Sequence, residues 1–276
     1  MALDDPKHLT ALEQRYATQP RPAAIVWNDV IAGLLAHRSV RAYLPRALEE
    51  RTIETLVAAA QSAPSSSNLH LWSVVAVTDP ATKAELAVLA NHQRHVEEAP
   101  LLLLWVADLA RPHALGVREG ATTAGLDYLD SFVTAALDAA LAAQNAVVAA
   151  ESLGLGTVYI GALRNRPDDV AAVVGLPPRA AVVFGLVVGW PDPERPASIK
   201  PRPAQAAILH RNQYRADAEA NAIADYDTVS RMFQQQQGLP VTGWKAAVLA
   251  RFADGAALHG RDRLRTVLGR LGFPLR

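Results

Sequence analysis

The chain has 276 residues, half of them apolar, with 27 acidic and 27 basic side chains and no cysteine. That length and apolar share suffice for a large buried core in one or two domains. A zero formal charge argues against a nucleic-acid or anionic-membrane partner, since both select basic faces. The lack of cysteine excludes disulfides, thiolate nucleophiles, iron–sulfur clusters and cysteine-zinc sites, so any redox chemistry here needs an organic cofactor.

Residues 1–8 are charged and lack the apolar core of a signal peptide. No uninterrupted apolar run reaches membrane-spanning length. The longest, Thr134 to Leu153, is broken by Asp138, Gln144, Asn145 and Glu151, and a soluble cytoplasmic protein is the expectation. Asp5-Pro6 predicts a helix through about Tyr16, with the proline at its first position, and Gln19 to Pro22 reads as a linker. Asn28 caps a short helix with an apolar stripe ending at Ala36. Leu48 to Gln61 is helical by periodicity, and Ser65-Ser66-Ser67-Asn68 is a polar loop. Leu71 to Thr78 reads as a buried, valine-rich strand. Asp79-Pro80 caps a helix to Ala90, and the continuous apolar run Leu101 to Asp108 predicts a central strand.

Arg111 to Thr123 reads as loop, because it holds Pro112, Gly116 and Gly120. Leu126 to Leu153 is helical and apolar on nearly every face from Ala135, which predicts burial all round. Gly154-Leu155-Gly156 end a helix and open a strand, the reverse of a dinucleotide-binding fingerprint. A strand through Ile160, a short helix from Pro167 and a buried strand from Ala181 to Gly189 follow. Further helices are expected at about Ala218 to Gln237, Trp244 to Phe252 and Arg261 to Gly269.

Two cationic clusters stand out. His37-Arg38-Ser39-Val40-Arg41 places an imidazole, two guanidinium groups and a hydroxyl where a short helix ends, a donor set suited to a phosphate dianion. Lys200-Pro201-Arg202-Pro203 holds a second cationic pair in a segment stiffened by proline. Gly161, at a strand end, allows a planar ring to approach the backbone. His92 and His95 could share a helical face and hold a metal, but no third ligand of the right type lies nearby, so no metal is assigned.

The ordered set HRSVRAYLP (37–45), APSSSNLHLWSVVAVTD (63–79), HQRHVEEAP (92–100), AAQNAVVAAESLGLGTVYIGALRN (142–165), VFGLVVGWP (183–191) and KPRP (200–203) resembles the nitroreductase superfamily, most nearly its oxygen-insensitive NADPH nitroreductase and flavin reductase P group. The resemblance covers roughly residues 30–215 and, more loosely, the C-terminal helices. It implies an α+β fold with a mainly antiparallel central sheet flanked by helices, in an intertwined homodimer with one FMN in each interface cleft. The division it implies is a helical extension over 1–29, an FMN-binding core over 30–215 and a dimer-embracing helical extension over 216–276.

The resemblance places His37, Arg38, Ser39, Lys200 and Arg202 around the FMN phosphate. It places Arg41 at the pyrimidine oxygen, where a cation raises the reduction potential, and Gln93 at the pyrimidine edge. Tyr159, Ile160, Gly161, Ala162 and Leu163 lie along the ring, with a backbone N–H near Gly161 facing its reactive nitrogen. Ser65, Ser66, Ser67 and Asn68 reach the flavin from the other subunit. The second glycine of the family's ring-facing motif is here Ala162.

The implied activity is ping-pong electron-pair transfer from NADPH or NADH, through non-covalent FMN, to nitroaromatics, quinones, free flavin or chromate. The alternatives are a non-catalytic FMN-binding or flavin-delivery protein and a specialised, dehalogenase-like flavin enzyme of the same fold. In the family a C-terminal loop clasps the NADPH 2′-phosphate with paired arginines. The corresponding Gln234 to Thr242 has no cation, leaving Arg231, Lys245 and Arg251 as substitutes and NADH as an open donor.

Overall fold

The computed structural model describes residues 6–23, 25–215 and 220–276. The chain forms two compact units, Ser39–Ala197 with Leu258–Arg276, and Met1–Arg38 with Ser198–Ala257.

The larger unit is built on one antiparallel sheet of four strands, β1 (Trp72–Val77), β2 (Leu101–Asp108), β3 (Gly156–Ile160) and β4 (Ala180–Gly189), in the order β1-β2-β4-β3. The two longest apolar runs of the sequence are its inner strands. With helices on both faces, β2 has no polar side to show. Leu101, Leu103, Trp105 and Ala107 enter one core cluster, and Leu102, Leu104 and Val106 the other, the period-two alternation of a strand. The edge strand β1 is only partly buried, against the expectation from its valines. A bulge after Trp105 shifts the β2–β4 register from Trp105↔Phe184 to Val106↔Val182.

One face is covered by α3 (Thr52–Gln61) packed on the long α7 (Leu129–Ser152), the other by α4 (Pro80–Leu89) and α8 (Pro167–Val173). By length and composition α7 could cross a membrane, yet it serves as a core helix. Its Ala135, Ala139, Ala142, Ala143, Ala146 and Ala150 are buried, small enough to let the helix settle onto the sheet. Burial is not complete all round, however. Leu129, Val133, Leu137 and Leu141, spaced by four, form an exposed apolar stripe. The last helix, α11 (Leu264–Arg270), belongs to this unit too: the Arg179 N–H donates to Leu271 O, and Phe273 meets Phe132 edge-on at 5.2 Å.

Two helix expectations change. Residues Ala110–Glu119 form helix α6 rather than loop: Pro112 falls in the first turn, where its missing N–H costs nothing, and Gly120, at φ 62°, ends it. Gly116 lies inside this helix because a Cβ there would come within 2.3 Å of the Thr123 side chain. α3 begins at Thr52 instead of Leu48, since Arg51 takes a left-handed conformation at φ 63°.

The smaller unit contains α1 (Pro6–Tyr16), α2 (Asp29–Ala36), α9 (Ala220–Gln236) and α10 (Gly243–Arg251). The predicted cap Asn28 accepts from the Ile31 N–H at 2.9 Å; Asp5 and Ala218 lie outside the described residues. His8 stacks on Trp27 at 4.1 Å. The turn from α9 to α10 is tied by Asp227, which accepts from the Lys245 N–H, and by Gln234, which accepts from the Gly243 N–H, both at 2.8 Å.

Candidate functional site

In the smaller unit the two cationic segments share one anchor. His37 closes α2, and its carbonyl accepts from Arg15 Nη2 at 2.7 Å, as does the Leu35 carbonyl at 2.6 Å. Arg15 Nη1 donates to the Lys200 carbonyl at 3.0 Å. The Arg202 N–H donates to Arg15 O at 2.8 Å, and Gln19 grips the segment beyond, its amide donating to Arg202 O at 2.6 Å and accepting from the Ala204 N–H at 3.1 Å. Tyr226 adds a hydrogen bond to Pro201 O at 3.1 Å. Residues 200–204 are therefore fixed through the main chain, while Lys200 and Arg202 keep their side chains exposed. Arg38 is exposed as well and makes no hydrogen bond or ion pair among the described residues. Beside Lys200 lies a cleft of about 200 Å³ lined by Tyr226, Phe233, Gln234, Leu239 and Trp244.

In the larger unit, residues 39–43 are stitched to the edge of the sheet. Ser39 bridges Thr157 in parallel, the Val40 N–H donates to Thr157 O at 2.9 Å, and Tyr43 bridges Pro191. Val40 and Tyr43 turn into the core, so Ser39 and Arg41 face outward. Gly156 makes the close approach possible, because a Cβ there would lie 2.7 Å from Val40. Burial pushes the Tyr43 phenol up, keeping it a neutral donor to Val40 O at 2.7 Å. Arg41 has no hydrogen bond or ion pair among the described residues. Its cation still reaches His95: burial first, then Arg41, holds that imidazole below its ordinary value.

Gln93 precedes α5 (Arg94–Glu98) and commits one amide donor to Ala90 O at 2.9 Å. At the end of β3, Ile160 and Leu163 bury their side chains, and Ala162 packs against the same core cluster. Any role of Ile160 and Leu163 toward a bound group falls to the backbone. Tyr159 is 40% exposed and meets Phe184 edge-on at 5.3 Å. Burial, then the Glu151 carboxylate, pushes its phenol up to about 12. Neither Gly156 nor Gly161 has a left-handed φ, but at Gly161 an added Cβ would meet only the Arg164 side chain, at 3.4 Å. Internal packing therefore does not demand glycine there, and the open side is consistent with a ring lying against the backbone.

The serine loop is organised by a residue the sequence reading treated only as a break in an apolar run. Asp138 of α7, 2% exposed, accepts from Ser65 Oγ at 2.6 Å, the Ser66 N–H at 3.0 Å and the Leu71 N–H at 3.3 Å. Ser65 Oγ in turn accepts from the His70 N–H at 2.8 Å, so this hydroxyl is the loop's anchor. Ser66, Ser67 and Asn68 are left exposed, Ser67 and Asn68 at φ 49° and 58°. Arg15, Gln19 and Asp138 are the residues that sequence reasoning missed. Arg15 had a signal: it shares a helical face with His8 and Leu12, where an apolar residue was due. Among the described residues no group of three His, Cys, Asp or Glu side chains could hold a metal ion.

The antiparallel sheet between helical layers defines an α+β fold, and within the smaller unit exposed cations sit on a fixed backbone, a donor set suited to an anion. Residues 34–190 match the nitroreductase family, and residues 200–276 match the C-terminal domain of that family. The chain belongs to the nitroreductase family. It is 37% identical over 213 residues to the FMN reductase (NADPH) of Bacillus subtilis, covering 76% of this chain and 85% of that one. It is 33% identical to the NADPH-flavin oxidoreductase of Vibrio harveyi, covering 84% and 94%. Among solved structures it is similar to the hypothetical oxidoreductase YcnD from Bacillus subtilis, with a TM-score of 0.85, 31% identity and coverage of 91% and 100%. It is also similar to the NADPH:FMN oxidoreductase from Vibrio harveyi complexed with NAD+, at 0.78, 32%, 90% and 100%.

Proposed function

We propose that this protein is an FMN-dependent NAD(P)H oxidoreductase passing electron pairs to small-molecule acceptors such as nitroaromatics, quinones or free flavin. The observation that carries the reading is the Lys200 to Ala204 segment, held at Lys200 O, Pro201 O, Arg202 N, Arg202 O and Ala204 N while its two cations remain exposed. A phosphate ester is the chemistry that such a donor set takes. His37, Arg38, Ser39, Lys200 and Arg202 are the phosphate ligands. Arg41, Gln93, Tyr159 and the backbone of 160–163 serve the ring, and Ser66, Ser67 and Asn68 serve the partner's flavin. FMN, when bound, accepts a hydride from the nicotinamide and releases the electron pair to the acceptor. Arg41, without a hydrogen bond or ion pair among the described residues, supplies positive charge at the pyrimidine edge. Tyr159 stays protonated across the working pH range and acts as a packing surface.

Two features refine this reading. The 237–242 turn carries no cation, and of the nearby ones Arg231 is paired with Asp227 at 3.0 Å and Arg251 donates to Ala257 O at 2.7 Å. The Lys245 side chain makes no hydrogen bond or close ion pair among the described residues, although its cation acts on the Asp227 carboxylate. A 2′-phosphate thus meets at most one uncommitted lysine, and both donors are used. Steady-state oxidation of each with a quinone acceptor should give kcat/KM values within about tenfold, a difference of ~1.4 kcal/mol. Lys245→Ala should lower only the NADPH value. An NADPH preference of about 100-fold or more would contradict this. The second feature is the exposed stripe of Leu129, Val133, Leu137 and Leu141 on α7, an apolar strip of the kind that marks a subunit interface. The protein is a cytoplasmic homodimer joined there. Sedimentation velocity should return twice the chain mass, and Leu137→Asp with Leu141→Asp should return one.

A further inference from the structure

We infer that Arg15, on the helix preceding the family-matched region, is a positioning residue for phosphate: it presets the two cationic segments and thereby sets affinity for the phosphate end of the flavin. The inference rests on the flavin reading above and names the device that sets its affinity. Arg15 is 6% exposed, and Gln19, one turn further, is 4% exposed. Residues 34–190 and 200–276 carry the family match, so both lie outside it.

A guanidinium is planar, with donors in a fixed fork, so the carbonyls it holds are separated by a rigid template. Here that template joins Leu35 O and His37 O to Lys200 O, fixing together segments more than 160 positions apart in the chain. It also fixes direction. The described chain has no cis peptide, and in a trans peptide the N–H points opposite to the C=O. With the His37 carbonyl turned to Arg15, the Arg38 N–H faces away from it and joins the Arg38 side chain as a donor. Lys200, whose carbonyl is likewise held, and Arg202, whose N–H donates to Arg15 O, complete the set. The three cationic side chains Arg38, Lys200 and Arg202 repel one another, and a mobile arrangement would spread them. Anchoring their backbones through neutral carbonyls keeps them convergent before the dianion arrives, which lowers the ordering cost of binding.

Arg15 contacts backbone, so its removal should act on the phosphate alone. Binding of FMN and of riboflavin, which has the same ring and no phosphate, is followed by flavin fluorescence quenching with apoprotein. For Arg15→Met, FMN affinity should fall at least about tenfold, the loss of one charge-assisted contact, with riboflavin affinity unchanged within about twofold. A parallel fall for both ligands would make Arg15 a general fold element and overturn the inference, as would no change for either. Should Arg15→Met fail to fold, Gln19→Ala, which frees Arg202 O and the Ala204 N–H, must give the same FMN-selective loss; its absence would also overturn the inference. Wild-type protein binding FMN no more tightly than riboflavin would refute the phosphate assignment itself, a result distinct from failure of Arg15 alone.

Discussion

Arg202→Ala is expected to lower FMN affinity by about 10- to 100-fold, the range of one charged hydrogen bond at ~1.5–3 kcal/mol. The change is a clean one. The Arg202 backbone is held from both sides, by Arg15 O at its N–H and by Gln19 at its carbonyl. Prolines flank it, and among the described residues its guanidinium makes one hydrogen bond, a long one of 3.4 Å to Lys200 O, while its charge is felt by the Tyr226 phenol. Removing the side chain therefore deletes a cation without releasing the segment that carries it. Thermal stability should stay within ordinary surface-mutation limits, and riboflavin binding should not change. Arg41→Ala should differ: its cation serves the ring rather than the phosphate, so its signature is a more negative flavin midpoint potential. Equilibrium dialysis with FMN and redox titration separate the two. Full flavin retention by Arg202→Ala would remove the main support for the phosphate assignment.

Asp138→Ala should be the most destabilising single substitution considered, by about 3–5 kcal/mol, because it removes the shared acceptor of three donors at once, part-buried at Ser65 and Ser66 and buried at Leu71. For a domain of this size that is a fall of roughly 10 °C in Tm. The loop it holds contains three left-handed non-glycine residues, Ser67, Asn68 and His70, whose conformations persist only while the surroundings impose them. Loss of the carboxylate should therefore free residues 65–71 before the core opens, and hydrogen exchange should rise first at the Ser66 and Leu71 amides. Asp138→Asn, which keeps one acceptor oxygen, should fall between alanine and wild type. A Tm change under ~2 °C for the alanine variant would show that water replaces the carboxylate without cost.

The parts of the fold legible in the sequence are those decided by local pattern. Leu101 to Asp108 and Ala181 to Gly189 read as buried strands because helices cover both faces of the sheet, and Asn28 and Asp79 read as caps because the cap is a contact over three residues. The helix at Ala110–Glu119 was hidden by Pro112, Gly116 and Gly120. Composition cannot tell a proline in the first turn from one in a loop, nor a glycine packed on Thr123 from a flexible one. The same distinction governs the site. The two cationic segments are visible because each is short and dense in charge. Their shared anchor is not, since Arg15 meets Lys200 across 185 positions and was expected only to belong to an extension. Asp138 looked like an interruption in an apolar helix because its three partners lie about seventy residues earlier.

The central claim, a flavin that exchanges electrons with a nicotinamide, is tested most directly by the visible absorption spectrum of the purified protein, supplemented with FMN if needed. The spectrum is taken anaerobically before and after one equivalent of NADPH or NADH. The account predicts a yellow protein whose flavin band near its visible maximum is lost on adding either donor and returns on adding a quinone. A yellow protein that neither donor bleaches would assign the chain to flavin carriage instead of reduction, and a colourless protein that takes up no FMN would contradict the account as a whole.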